Sequence, residues 1–227
     1  MKRVLILGGS AMTDAAARVL SDAGYAVSVY WSRDRLPLDV PDAQSLRDGL
    51  DQADALIDAT HPFDAPLRGI AVSMAPDVPR IRVGRAPWTP EPGDRWTEVA
   101  TLPEAVAALP TGARVFAASG RDSAEVLAHH DGPVFLRQLH AHDDPAPDGC
   151  TFVFGSGPFD TSAEAALFEK LGIDIVLARN TGGERGFPKI AAARRLGLPV
   201  LLLSQPTFGL ADMVTNTDAL LAWMTRH

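Results

Sequence analysis

The sequence of 227 residues contains a single cysteine, Cys150. One thiol cannot build a disulfide framework, so we expect a reducing compartment, the cytoplasm. Long apolar runs are also lacking, since none approaches the roughly 18 consecutive residues that a membrane-spanning helix needs. The apolar stretch at 4–7 runs directly into glycines, which predicts a β-strand and not an export signal. The sequence therefore indicates a globular protein without membrane association.

An excess of basic residues is absent as well, because the formal net charge is −7. A general nucleic-acid binder would carry a basic balance or a basic stripe, so we expect no nucleic-acid partner. Neither a G-x-S-x-G elbow nor a G-x-x-x-x-G-K-[ST] loop occurs. The histidines at 129–130 and 140–142 have no matching cysteine or carboxylate spacing, so no metal site is predicted, and Cys150 has no obvious activating partner.

Short apolar runs alternate with alanine-rich segments along the whole chain. This βαβ rhythm predicts parallel sheets with helices on both faces. A turn at Pro110 and Gly112 precedes a second strand that runs into glycine, so the rhythm restarts there. We therefore expect an α/β fold of two Rossmann-like parallel-sheet halves with a cleft between them: residues 1–109 as a dinucleotide-binding domain and 110–227 as a second α/β domain, ending in a helix from about Asp212. A single continuous doubly wound sheet is the alternative.

The stretch "LILGGSAMTDAA" is the first candidate for a ligand site. A strand, two glycines and a helix start leave N–H groups at a positive helix terminus, where phosphate binds well. The candidate cofactor contacts are Gly8, Gly9, Ser10, Ala11 and Met12. The stretch is not a complete G-x-G-x-x-G fingerprint, so an ordinary tight turn between strand and helix remains an alternative.

The second predicted strand ends in "VYWSRDR". Dinucleotide-binding folds that use NAD usually carry an acidic residue at this point, for the ribose 2′-hydroxyl. Here Ser32 and Arg33 come first, and a hydroxyl with a guanidinium suits a 2′-phosphate. This favours NADPH as cofactor, although Asp34 follows and a solvated Arg–Asp pair would look the same.

The third predicted strand runs into "DATHPF". Ligands of open parallel sheets bind outside the carboxyl ends of the strands, so Thr60, His61, Pro62 and Phe63 are candidate cofactor contacts. His61 has three possible roles: a catalytic acid, a group that lines the ligand, or a polar residue that caps a helix or bonds a carbonyl.

Strand ends of the second half carry a further set of candidates. Gly120 and Arg121 follow one strand, and "ARNTGGERGFPK" combines a strand end, flexible backbone and polar groups. Candidate cofactor contacts there are Gly120, Arg121, Asn180, Thr181, Gly182 and Gly183. Such loops suit an anionic ligand, whereas a glycine-rich surface loop with solvated charges is the alternative.

These stretches, taken in order, resemble one family. "ILGGS", "DATHPF", "RVGRAPW", "ARVFAASGR", "GSGPF", "ARNTGG" and "KIAAARRLGLPV" are similar to the precorrin-6A reductase family of cobalamin biosynthesis, over nearly the whole chain. The resemblance implies an NADPH-dependent reductase that reduces one C=C bond of the precorrin-6A macrocycle to give precorrin-6B. This sequence differs from the family pattern at Ser10 and Met12 in the glycine turn, and at Arg179, where lysine is usual.

The implied substrate carries many carboxylates, so an acidic protein needs locally basic walls to hold it. Candidate substrate contacts are Arg85, Arg121, Arg137, Arg179 and Lys189, some of which could hold cofactor phosphate instead. His61, Asp143 and Asp144 are candidate proton donors. Alternatives are an NADH-dependent reductase of cobalt-precorrin-6A and a regulator that senses NADP(H) without turnover.

Overall fold

The computed structural model describes residues 1–31, 43–74, 77–206 and 213–227, with the backbone alone described at 43–45, 65, 66, 70 and 74. The chain divides into two compact units: Met1–Ala86 with Pro206–His227, and Pro87–Gln205. None of the helices in the described ranges is long and apolar enough to cross a membrane.

The strands of the described residues are β1 (Arg3–Gly8), β2 (Ala26–Trp31), β3 (Ala55–Ala59), β4 (Arg80–Val83), β5 (Trp96–Val99), β6 (Val115–Ala118), β7 (Val134–Gln138), β8 (Cys150–Phe154), β9 (Ile175–Arg179), β10 (Val200–Leu203) and β11 (Met213–Val214). The α-helices are α1 (Thr13–Asp22), α2 (Ala43–Gln52), α3 (Ala65–Met74), α4 (Leu102–Ala108), α5 (Ala124–Leu127), α6 (Thr161–Leu171), α7 (Pro188–Leu196) and α8 (Thr217–Met224). Short 3₁₀ turns lie at Arg121–Ser123 and Glu184–Gly186.

The first unit contains a parallel sheet in the order β11-β4-β3-β1-β2. Alternate residues of its central strands point to opposite faces. Val4 and Ile6 of β1 pack against α1, and against Leu220 and Trp223 of α8. The other face packs against α2 and α3, with Leu5, Leu7, Tyr30, Leu46, Leu50, Leu56 and Ala71 forming one cluster. Both faces are covered, which explains why the central strand β1 is continuously apolar from Val4 to Leu7.

The second unit contains a parallel sheet in the order β5-β10-β9-β6-β7-β8. Phe116 of β6 packs on Phe168 of α6, with ring centroids 4.7 Å apart. Ile190 of α7 joins the same buried cluster. The expected α/β class, parallel strands and two-sheet organisation are therefore confirmed.

The division of the chain differs from the predicted boundary between residues 109 and 110. β5 pairs with β10, in the register Trp96 to Val200, so it belongs to the second sheet. β11 pairs with β4, and α8 packs on the first sheet. The βα rhythm could not reveal this, because a parallel strand reads the same whichever sheet it joins.

The last helix begins at Thr217, after the Asn216 side chain, which accepts a hydrogen bond from the N–H of Ala219 at 2.8 Å. The predicted start at about Asp212 lies outside the described residues. The two-residue strand β11 precedes the helix and was too short to be recognised by pattern.

Candidate functional site

In the first unit the chain passes from β1 to β2 on one side and later to β3 on the other. The carboxyl ends of β1 and β3 therefore form a topological switch point, where ligands of open parallel sheets bind. The glycine turn at 8–12 and the segment at 60–63 follow these two strands. The N–H of Ser10 donates to the carbonyl of Ala59 at 3.0 Å. The structure thus brings these two predicted segments side by side.

Thr13 holds the glycine turn together from within, and its side chain is completely buried. Its hydroxyl accepts from the N–H of Gly9 at 3.2 Å and donates to the carbonyl of Ser10 at 2.9 Å. The Ser10 hydroxyl accepts from the N–H of Met12 at 3.2 Å. Several N–H groups that the sequence suggested were free are therefore bonded within the turn.

Two features of the turn still suit an anionic ligand. No side chain caps the start of α1, whose first N–H groups have no intrahelical acceptors. Gly8 has no room for a side chain, because a Cβ there would lie 2.9 Å from both Thr13 Cγ2 and the Trp31 ring. The close packing of strand, turn and helix at Gly8 is the arrangement that dinucleotide-binding turns require.

The strand β2 ends at Trp31, which is the last residue that the structure describes before position 43. Ser32 and Arg33, predicted to contact the cofactor, lie outside the described residues, as does Asp34. Ala11 lies in the turn and is exposed.

"DATHPF" is built around a buried ion pair. Asp58 and Arg68 are 2% and 1% exposed, and Arg68 Nε donates to Asp58 Oδ2 at 2.5 Å. The other carboxylate oxygen of Asp58 accepts from the N–H and hydroxyl of Thr60, at 3.0 and 2.6 Å. Arg68 also donates to the Thr60 hydroxyl at 2.9 Å. The side chain of Thr60 is thus used to shape the loop.

Arg82 of β4 lies beside this pair, with Nε 4.0 Å from Asp58 Oδ2. Burial, and then the nearby charge of Arg68, lower the pKa of Arg82, whereas Asp58 raises it. Two arginines therefore share one buried carboxylate behind the strand end.

His61 begins a tight turn with Pro62 at its second position, and its carbonyl accepts from the N–H of Asp64 at 2.9 Å. Its Nδ1 lies 3.3 Å from the N–H of Phe63 and so acts as acceptor. The neutral ring then carries its proton on Nε2. This geometry gives His61 a local structural role, and Pro62 is buried while Phe63 is half-buried.

The second sheet has its own switch point, between β6 and β9. Arg179 at the end of β9 donates to both oxygens of Asp122, at 2.8 and 2.7 Å. Gly120 has φ of 92°, and a Cβ there would lie 2.7 Å from Arg179 Nη1. Arg121 pairs with Asp144, both more than half exposed. The predicted loops Gly120–Arg121 and 179–183 are thus brought together.

Asn180 is buried and bonds the backbone of Trp88 twice. Its Oδ1 accepts from the Trp88 N–H at 2.8 Å and its Nδ2 donates to the Trp88 carbonyl at 3.0 Å. The indole N–H of Trp88 donates to the carbonyl of Gly183 at 2.9 Å. Asn180 therefore joins Trp88 to the loop that follows β9 within the second unit, while Thr181 is half-buried and Gly182 is buried.

Arg137 differs from the other predicted substrate contacts. It is paired with Glu164 at 2.7 Å, and both side chains are under 10% exposed. Its guanidinium stacks on Phe159 and Phe116, 4.5 and 5.1 Å from the ring centroids. This environment indicates a packing role for Arg137.

Lys189 is half-buried near that pair, in the first turn of α7. Its ammonium donates to the carbonyl of Gly186 at 2.5 Å and lies 5.4 Å from the Trp88 ring centroid. Burial lowers the pKa of Lys189 to about 8, opposed by Glu164 and reinforced by Arg137.

The remaining candidates are dispersed. Arg85 is half-buried after β4 in the first unit, whereas Asp143 and Asp144 are exposed in the loop after β7. Burial raises the pKa of the Cys150 thiol, as does Glu125, which agrees with an inert cysteine.

Sequence reasoning missed Thr13, Trp31 and Arg68. Thr13 could have been found from its place four residues after Gly9, as a residue that caps locally. Nothing in the sequence marked Arg68 as a site residue, because its partner Asp58 lies ten residues earlier, on the preceding strand β3.

Two all-parallel α/β sheets, each with polar loops at its switch point, define a protein of the Rossmann-like class. A family model described as precorrin-6x reductase CbiJ/CobK matches residues 3–225. The chain belongs to this family and is therefore an oxidoreductase.

Individual relatives agree with that assignment. The chain is 35% identical to the precorrin-6A reductase of Rhodobacter capsulatus, with 100% of this chain and 97% of the relative covered. It is 34% identical to that of Rhodococcus erythropolis, covering 99% and 98%. A solved structure of CobK precorrin-6A reductase superposes with a TM-score of 0.84 at 33% identity, covering 100% of this chain and 97% of that one.

Proposed function

We propose that this protein reduces precorrin-6A to precorrin-6B in cobalamin biosynthesis, with NADPH as the reductant. The observation that carries the proposal is the family match over residues 3–225, which includes the switch-point loops of both sheets. A reductase of this family needs a nicotinamide cofactor, and the choice of NADPH rests on Ser32 and Arg33 at the end of the second strand.

The turn at 8–12 and the start of α1 would hold the cofactor diphosphate. The uncapped helix start supplies N–H donors and a favourable dipole, while Thr13 keeps the turn rigid from below. The backbone of Thr60 to Phe63 would form the adjacent wall, which the buried Asp58–Arg68 pair fixes in place. When bound, NADPH supplies a hydride to one carbon of the substrate double bond.

The carboxyl edge of the second sheet would hold the substrate carboxylates. Arg121 and Arg179 are accessible there, and each is oriented by an aspartate that accepts from its guanidinium. Arg85 is a third candidate contact, in the first unit. Charge-assisted bonds to carboxylates would fix the macrocycle's orientation, which is what a reaction by hydride transfer demands of the protein.

The test is anaerobic mixing of the protein with precorrin-6A and either NADPH or NADH. We expect NADPH absorbance to fall in step with a change in the macrocycle spectrum, at a much higher kcat/KM than with NADH. NADPH that binds but is never consumed would contradict the enzymatic function and favour a sensor.

A second experiment addresses cofactor choice. Arg33→Ala should weaken NADPH binding far more than NADH binding, because the guanidinium would contact only the 2′-phosphate. An equal loss for both cofactors would refute that role.

A further inference from the structure

Lys189 stands out in a chain that contains 18 arginines and only three lysines, Lys2, Lys170 and Lys189. It lies in the first turn of α7, which follows β9 and so starts at the carboxyl edge of the second sheet. This is the edge at which Arg179 lies. The residue as a whole is half-buried, and its ammonium is directed towards the Gly186 carbonyl and the Trp88 ring.

The surroundings of the Lys189 ammonium are preformed. The Trp88 ring beneath it is fixed by Asn180 and by the carbonyl of Gly183. The Gly186 carbonyl accepts from Nζ at 2.5 Å. A Cβ at Gly186 would lie 3.1 Å from the Trp88 ring, so this close approach depends on glycine.

The charges that face the Lys189 ammonium give its protonated form little net stabilisation. Glu164 of α6 is already paired with Arg137 of β7, and the positive end of the α7 dipole lies at the same place. Glu184 and Arg185, on the preceding 3₁₀ turn, are exposed. Burial, with no dedicated counter-ion among the described residues, lowers the pKa of Lys189 to about 8, so the amine is protonated at neutral pH yet releases its proton readily.

Other described charged groups at this edge are already committed to partners. Arg121 and Arg179 each donate to an aspartate, which suits them to bind substrate carboxylates. Asp122, Asp144 and Glu164 each accept from an arginine, as carboxylates do. The His142 ring packs edge-on against Phe152 and Phe154, with centroids 5.0 and 5.3 Å away, and its Nδ1 lies 3.7 Å from Asp144 Oδ2.

We propose that Lys189 is the general acid of the reduction, a role that rests on the proposed function. NADPH would supply the hydride and be oxidised to NADP+, and as the π bond of the substrate breaks, one of its carbons would gain a C–H bond with the two electrons of the hydride. An N–H bond of the Lys189 ammonium breaks, and its proton forms the C–H bond on the neighbouring carbon. Lysine is left as a neutral amine, which regains a proton from water before the next turnover.

The first test measures Lys189 itself without cofactor or substrate. With ¹³C-labelled lysine the full chain should give three side-chain signals, and Lys189→Arg identifies one of them by its loss. We expect that signal to titrate near pH 8, below the ordinary lysine pKa of 10.5. A Lys189 signal that titrates near 10.5 would overturn the proposal.

The second test is single-turnover kinetics of three variants with NADPH and precorrin-6A. Lys189→Met and Lys189→Arg should both slow reduction by about 100-fold or more, because neither side chain can deliver a proton. NADPH affinity should stay within about threefold of wild type, as should all properties of the control Lys170→Met. The wild-type rate should fall as pH rises through about 8, where the ammonium is lost.

The two variants separate proton donation from a charge effect. If Lys189→Arg reduces the substrate as fast as wild type, positive charge alone suffices and the proposal is wrong. It is equally wrong if the loss at high pH persists unchanged in Lys189→Met. Failure of wild type itself to oxidise NADPH with precorrin-6A would contradict the proposed function instead, so the two failures are distinguishable.

Discussion

The two sheets have related topologies but differ in what they place at their switch points. At the first, the charged residues Asp58 and Arg68 are buried behind the strand end, and the exposed or half-buried part of the turn is 10–12, beside the uncapped start of α1. At the second, Arg121 and Arg179 are at least partly accessible and paired with exposed aspartates. A parallel sheet thus fixes where a ligand binds, while the depth of the charges decides whether a site offers N–H groups or side-chain cations.

The largest predicted difference in stability is between the buried ion pair of the first sheet and the exposed ion pair of the second. Asp58→Ala leaves Arg68 buried without its carboxylate and should lower the free energy of unfolding by about 3–5 kcal/mol. Asp144→Ala removes an exposed pair and should change it by less than about 1 kcal/mol. Urea denaturation of both variants measures the difference.

The double variant Asp58→Ala/Arg68→Met is the control for that prediction. Removal of both charges should recover part of the lost stability, because no uncompensated charge stays buried. Equal losses for Asp58→Ala and Asp144→Ala would show that burial does not distinguish the two pairs.

The glycine turn is tested by Gly8→Ala. The added methyl group meets Thr13 and Trp31 and should cost about 1–3 kcal/mol of stability, with weaker NADPH binding measured by fluorescence titration. Gly69→Ala is the matched control: Gly69 lies in α3 with nothing near its Cβ position, so the change should stabilise by about 0.5–1 kcal/mol. NADPH affinity unchanged by Gly8→Ala would argue against cofactor binding at this turn.

Lys189 should make stability depend on pH in a defined window. Its pKa falls from 10.5 to about 8 on folding, so between these values the unfolded chain binds more protons and native stability rises with pH. Lys189→Met should therefore be more stable than wild type below pH 8, by up to about 3 kcal/mol. This advantage should shrink as pH rises towards 10.5, and an advantage independent of pH would contradict the lowered pKa.

The smallest predicted effect tests whether Arg179 binds the substrate. Arg179→Gln should raise KM for precorrin-6A by about tenfold through loss of one charge-assisted bond, with NADPH affinity unchanged. Arg195→Gln, at the exposed far end of α7, is the matched control and should have no effect on KM. Parallel loss of NADPH affinity in Arg179→Gln would assign Arg179 to the cofactor instead.

Local patterns were sufficient for much of the fold and for the positions of the loops. Alternation of apolar strands with helices predicted parallel sheets, and strand ends such as Gly8 and Arg179 predicted where polar loops converge. These features depend on a few neighbouring residues, so a single sequence contains them.

Contacts between residues that are far apart in the sequence could not be predicted from local patterns. The partner of β5 is β10, about a hundred residues away, and nothing in "WTEV" distinguishes one parallel neighbour from another. Burial depth was equally hidden: Arg137 and Arg179 both lie within the last two residues of apolar strands, yet Arg137 is buried against the rings of Phe116 and Phe159 while Arg179 is partly exposed. The Asn180 bonds to Trp88 join residues that are 92 positions apart.

The contribution of α8 and β11 to the first sheet sets the order in which the two units can fold. Leu220, Trp223 and Met224 cover the face of β1 that carries Val4 and Ile6. The described strands of the second sheet all lie within 87–205, whereas the first sheet needs residues from both sides of that range. Closure of the first unit therefore requires contacts between residues about 200 positions apart, and loop closure over that distance is slow compared with the more local contacts of the second unit.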